Sequence, residues 1–82
     1  MSATPDQAVL DASTLLRAHR YADARARLES HLAVAPASVQ ALWLLGGACQ
    51  ESGDLDAARA AFTRLLQIDS RWVPARVALA SA

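Results

Sequence analysis

The sequence predicts an all-α protein built from short helical hairpins. Three observations carry that expectation: twenty alanines among 82 residues with aromatics at only 5%, apolar residues recurring every three or four positions, and a self-similarity with a period of 34 residues. Alanine is the best helix former and lets helices approach closely, whereas strands draw on β-branched and aromatic side chains. A repeat is sought first because a repeating unit buries its apolar face only against its neighbours.

Shifted by 34, Leu10 falls on Leu44, Ala24-Arg25-Ala26 on Ala58-Arg59-Ala60, and Leu32 on Leu66. Same-class matches join them: Ala12 with Gly46, Tyr21 with Leu55, Leu28 with Phe62, and Val34 with Ile68. The match continues past residue 72, where Val73, Ala75, Leu79 and Ala82 fall on Val39, Ala41, Leu45 and Ala48. The organisation that follows is a leader over residues 1–4, repeats over 5–38 and 39–72, and over 73–82 the first helix of a third repeat or a capping helix.

The first helix opens at Thr4-Pro5-Asp6-Gln7, with Thr as N-cap, Pro in the first turn and Gln closing a capping box. Ala8, Ala12, Leu15 and Leu16 form its apolar stripe, and it should end near Ala18. The second begins near Tyr21, carries Ala24, Leu28 and Leu32, and stops before Pro36. The third is capped by Ser38 and runs to about Ser52, where Gly53 is free to take φ > 0 and Asp54 is placed to cap the next. The fourth uses Leu55, Ala58, Phe62, Leu65 and Leu66 and fades near Ile68-Asp69. A fifth starts in SRWVPARVALASA, where Pro74 is acceptable because it sits in a first turn.

This pattern resembles the tetratricopeptide repeat, whose signature is W-x2-L-G-x2-Y, then A-x3-F, then P. The second repeat reads Leu42-x2-Leu45-Gly46-x2-Cys49, then Ala58-x3-Phe62, with Ser70 at the proline position. The first reads Ala8-x2-Asp11-Ala12-x2-Leu15, then Ala24-x3-Leu28, with Pro36 in place. Asp11, His19, His31 and Arg76 stand where the family prefers Leu, Gly, Ala and Trp. His tolerates left-handed geometry, so His19 still suits a turn. Asp11 is expected to weaken the core of the first hairpin.

The resemblance implies a short right-handed solenoid of about five helices that acts as a non-catalytic interaction scaffold. It also implies a concave groove gripping a peptide or helix, lined here by Val9, Ser13, Leu16, Arg17, Gln40, Trp43, Gly47, Gln50 and Val77. The family's variant that clamps a carboxylate with Lys and Asn is not carried over, because Val9, Ser13 and Leu44 occupy three of those positions. A hydrophobic peptide or helix suits such a groove better. Trp43 either faces outward as a binding hot spot or stacks on the next repeat near Val77. Gly47 either opens the groove to a ligand or is only tolerated.

Composition narrows the partners. Eight arginines and eight acidic residues cancel, both halves carry both signs, and the chain has no lysine. No basic face for nucleic acid or anionic membrane emerges. One cysteine forms no internal disulfide, the start MSATPDQAVL lacks the pattern of a signal peptide, and no apolar run reaches the roughly 20 residues of a membrane span. A cytoplasmic protein is the expectation, with protein or peptide as partner.

Candidate chemistry reads as packing. The stretch LLGGACQESGDLDAARAAF holds all three glycines and the cysteine, yet contains no phosphate-binding spacing. Gly46 is placed where two helices cross and is expected to pair with Ala58. Cys49 is mid-helix with no activating partner, and behaves as a small hydrophobe. His19 and His31 share no helical face, so no metal ligand set is specified. Neither cofactor nor metal is expected, and an enzyme working through Cys49 would need that thiol to alkylate rapidly.

The end of the chain is apolar. Trp72, Val73, Val77 and Leu79 crowd around one charge, Arg76, whereas repeat arrays finish on polar faces. Either further repeats follow or these four residues form an oligomer face for a second chain. The alternative function is an N-terminal targeting or regulatory arm of a larger enzyme, such as a transferase or oxygenase.

Overall fold

Each helix begins and ends where the sequence changes its local hydrogen-bonding chemistry. The computed structural model describes residues 6–74, 76 and 77, and the side chains of all of these except Asp6 and Ala8. Four helices follow in order: α1 (Asp6–Arg17), α2 (Tyr21–Val34), α3 (Val39–Glu51) and α4 (Leu55–Ile68). Thr4 and Pro5, the expected opening of α1, lie outside the described residues.

The two hairpin turns are built alike. After α1, His19 takes φ 60°, its N–H donates to Leu16 O at 3.0 Å, and the N–H of Arg20 donates to Leu15 O at 2.8 Å. After α3, Gly53 takes φ 88°, its N–H donates to Gln50 O at 3.1 Å, and that of Asp54 to Cys49 O at 2.8 Å. Both are Schellman closures, which satisfy carbonyls left unpaired at a helix end. A left-handed residue is obligatory there, and histidine fills the position in one turn where glycine fills it in the other.

The helix starts differ. Ser38 Oγ accepts from Ala41 N–H at 3.3 Å and Asp54 Oδ1 from Ala57 N–H at 3.2 Å, both as expected of caps. Arg20 precedes α2 with no side-chain cap and pairs instead with Asp23 at 2.6 Å.

Packing proceeds helix by helix, α1 on α2, α2 on α3 and α3 on α4, with a smaller contact between α1 and α3. One core joins Ala12, Leu28 and Leu32 of the first hairpin to Leu42, Leu45, Cys49, Phe62 and Leu65 of the second. Leu28, Leu42 and Leu65 are fully buried. Truncating any of them to alanine costs about 2–5 kcal/mol, comparable to the whole stability of a small domain. Arg25 of α2 reaches Asp54 at 3.4 Å, a polar tie between the repeats beside the apolar one.

Two expectations need correction. Gly46 meets Phe62 rather than Ala58: a Cβ built on Gly46 would stand 2.6 Å from Phe62 Cζ and 2.7 Å from Cδ1. The aromatic ring, longer than the alanine methyl, crosses the gap between the helices and takes the space that Gly46 leaves. Asp11 is not a flaw in the core of the first hairpin. Its carboxylate lies on the outer face, accepting from Gln7 Nε2 at 3.0 Å and from Arg27 at 3.2 Å. The positions one repeat later, Leu45 and Ala61, are buried, so an ion pair on an open face replaces an apolar contact inside the stack.

Among the described residues the fifth helix is represented by its first turn. Val73, Pro74, Arg76 and Val77 are helical, with Arg76 N–H donating to Trp72 O at 3.3 Å. Leu79 lies outside the described residues, which therefore contain four full helices rather than about five.

Candidate functional site

The period that buries one stripe of α1 and α3 turns a second stripe of each toward the same concavity. Val9, Leu10 and Ser13 of α1 meet Gln40, Trp43 and Leu44 of α3 around an open cavity of about 570 Å³, with Trp72 closing one end. None of these seven side chains carries a charge, and Ser13 and Gln40 supply the side-chain hydrogen-bonding groups beyond the indoles.

Trp43 sits at the centre, packed against other aromatic rings and open to the cavity. It is half-buried, with its ring centroid 5.3 Å from that of Phe62 and 6.4 Å from that of Trp72, tilted at 44° and 50°. Tilted aromatic contacts at these separations add roughly 0.5–1.5 kcal/mol beyond area burial. One part of Trp43 thus anchors the groove to the core, and another is a wall of the cavity. The tryptophan it meets is Trp72, the last residue of its own repeat.

Trp72 is placed differently from its expected position on an oligomer face. Asp69 Oδ1 accepts from Arg71 N–H at 3.1 Å, and Trp72 N–H donates to Asp69 O at 3.2 Å. That tight turn folds the indole back over α3, where its Nε1 is buried without a hydrogen-bond partner. Val73 and Val77 remain exposed, at 59% and 57%.

Four of the nine residues assigned to the groove, Val9, Ser13, Gln40 and Trp43, line this cavity together. Leu16, Arg17, Gly47, Gln50 and Val77 do not line it. Leu16 and Gly47 are half-buried, while Arg17 and Gln50 are exposed near the C-terminal ends of their helices. A Cβ on Gly47 would meet nothing within 4 Å, so open space rather than a neighbour accounts for its tolerance. Leu10 is absent from the expected groove, and Leu44 enters it only as a position of the carboxylate clamp that is not carried over. The signal that could have found them is the identity of Leu10 and Leu44 across the period, because two leucines kept at one position line one surface.

Cys49, His19 and His31 do not line the cavity. The Cys49 thiol is buried, and that burial pushes its pKa up, against a smaller lowering by Arg25. A thiol held in that form is a poor nucleophile. His19 Nδ1 lies 2.7 Å from the Tyr21 hydroxyl in the turn, and His31 is buried on α2 with Nε2 unpartnered. Among the described residues no group of three or more His, Cys, Asp or Glu could hold a metal ion, and no helix is long and apolar enough to cross a membrane.

Paired antiparallel helices, repeated at 34 residues and closed by equivalent turns, define an α-hairpin repeat protein. A family model described as tetratricopeptide repeat matches residues 10–71. The chain belongs to the tetratricopeptide repeat family. Comparison with curated proteins and with solved structures returned no match in either case. Repeats of this family mediate protein–protein interaction and are typically non-catalytic.

Proposed function

We propose that this chain is a non-catalytic scaffold that binds a peptide or helix of a partner protein in the groove between α1 and α3. The observation that carries the reading is the pairing of both tryptophans of the chain with leucine and valine around one uncharged, open cavity. Tryptophan is enriched where interfaces concentrate their energy, and concave apolar sites with a few polar groups are the usual ligand sites. A lone, buried thiol suits the reducing setting of the cytoplasm, where we place it.

The direct test is a binding isotherm for a labelled amphipathic peptide, using Leu10→Gln as the altered groove. Leu10 is 60% exposed and lines the cavity, so the substitution removes groove surface without touching the core. Affinity should fall about tenfold with the thermal midpoint unchanged. Equal affinity for both proteins would remove the groove from the account.

Self-association is a second reading, favoured by Val73 and Val77. They stand one helical turn apart and are both more than half exposed. A monomer at high concentration in sedimentation would dismiss it; a dimer abolished by Val77→Glu would support it.

A further inference from the structure

Trp72 reaches the groove from outside both of the helices that build it. It follows α4 by a turn, in the place that Ser38 holds one repeat earlier. The backbones of the two are equivalent: Ser38 O accepts from Leu42 N–H at 3.0 Å, and Trp72 O accepts from Arg76 N–H at 3.3 Å. The side chains are not. Ser38 Oγ caps α3 through Ala41 N–H, whereas an indole has no acceptor with which to cap a helix. Trp72 instead lines the cavity beside Trp43 and packs against the core. A residue that breaks a local rule in this way points to function.

The seat of that indole is imperfect. Among the described residues its buried Nε1 has no hydrogen-bond partner, so docking forfeits the bond that this N–H makes to water when the ring stands free. Its centroid lies 6.4 Å from that of Trp43, against 5.3 Å between Trp43 and Phe62, near the outer limit of favourable ring contact. The side chain is half-buried and is carried by a turn rather than by a helix of the core.

We propose that Trp72 is a built-in occupant of the groove, and that the partner displaces it by setting a phenylalanine of its own against Trp43. The inference rests on the groove being the binding site and adds the partner's anchor and the group that competes with it. A phenylalanine ring keeps the aromatic contact with Trp43 and brings no N–H to bury unpaired, so it suits the seat better than the indole it replaces. An aliphatic anchor keeps the apolar burial but loses the ring contact.

The test uses two labelled amphipathic peptides, alike except for Phe or Leu at one central anchor. Fluorescence anisotropy is read against the natural sequence, Trp72→Ser and Trp72→Phe. Serine restores the cap of the earlier repeat and leaves the seat open; phenylalanine keeps a built-in ring without the unpaired N–H. The natural protein should prefer the Phe peptide about threefold, as one ring contact allows. A site open about one-tenth of the time loses about tenfold in apparent affinity, so Trp72→Ser should bind the Phe peptide about tenfold more tightly than the natural protein does, and Trp72→Phe about threefold more weakly. In the natural protein the Trp72 indole N–H should exchange with water about tenfold faster once the peptide is bound, a readout that needs neither variant to fold. No preference for the Phe peptide, weaker binding by Trp72→Ser, or an indole N–H that stays protected in the complex overturns the inference while leaving the groove intact. Failure of both peptides to bind any of the three proteins removes the groove reading and this inference with it.

Discussion

Phe62 lays the edge of its ring over the α-carbon of Gly46, so close that a methyl on Gly46 would stand 2.6 Å from Cζ and 2.7 Å from Cδ1. The ring is 3% exposed and backed by Trp43, with ring centroids 5.3 Å apart, so it has no free direction in which to yield. One repeat earlier the same two positions hold Ala12 and Leu28, both fully buried. A small residue and a large one trade volume between repeats at a fixed helix spacing.

That trade makes Gly46→Ala destabilising by about 1–2 kcal/mol, the overpacking cost exceeding the roughly 1 kcal/mol gained from helix propensity. Adding Phe62→Leu should recover part of the loss, since the pair then matches the first repeat. Denaturant melts of the two single variants and the double variant measure this coupling. Gly47→Ala is the internal control. With nothing near its Cβ, it should stabilise by about 0.5–1 kcal/mol.

Arg20 and Asp54 occupy equivalent positions with nearly the same backbone, φ −95° and ψ 67° against φ −89° and ψ 79°. Only Asp54 caps its helix. Arg20→Asp should therefore raise stability by about 0.5–1 kcal/mol, because the exposed Arg20–Asp23 pair that it sacrifices is worth less than a cap. The thermal midpoint checks it, and Arg20→Asn separates the cap from the charge.

His31 stands where the second repeat places the fully buried Leu65. Its Nε2 is buried with no partner, so the folded state gives up that nitrogen's hydrogen bond to water. His31→Leu should stabilise by about 1–2 kcal/mol. A lower denaturant midpoint in the variant would mean that the imidazole supplies packing which leucine cannot match.

Burial raises the pKa of the Cys49 thiol, so the folded state holds its proton more tightly than the unfolded chain. The stabilisation from this group is complete below the unfolded pKa, about 8.5, and is lost as pH rises from there through the folded pKa. Alkylation by iodoacetamide should be slow in the folded protein and should follow unfolding as denaturant is added. Fast labelling of the native state would show an accessible thiolate and reopen the case for chemistry at Cys49.

What the sequence made legible was whatever a period or a local rule determines. The 34-residue offset located both hairpins, and cap chemistry located Ser38, Asp54, His19 and Gly53. Contacts across the helices were less accessible, because a period assigns a residue to a face without saying which side chain it meets there. Hence the period sets Gly46 against Ala58 where the packing brings it to Phe62, and it gives no sign of the pair between Asp11 and Arg27, sixteen residues apart. The position of the Trp72 ring is not legible for another reason: it follows a turn, where helical periodicity lapses. The cavity was legible in part: Val9, Ser13, Gln40, Trp43 and Leu44 stand at positions that the family resemblance marks, but Leu10 and Trp72 emerge only with the packing.

Trp43 and Trp72 are the only tryptophans, and both line the groove, so their two indole N–H signals report on it directly. The most direct test of the central claim is an amide and indole NMR titration of the protein with an amphipathic peptide. The account predicts shifts in both indole signals and in the backbone of Val9, Leu10, Ser13, Gln40 and Leu44, with the outer faces of α2 and α4 unmoved. Perturbations that map to α2 and α4 while both indole signals stay fixed would contradict it.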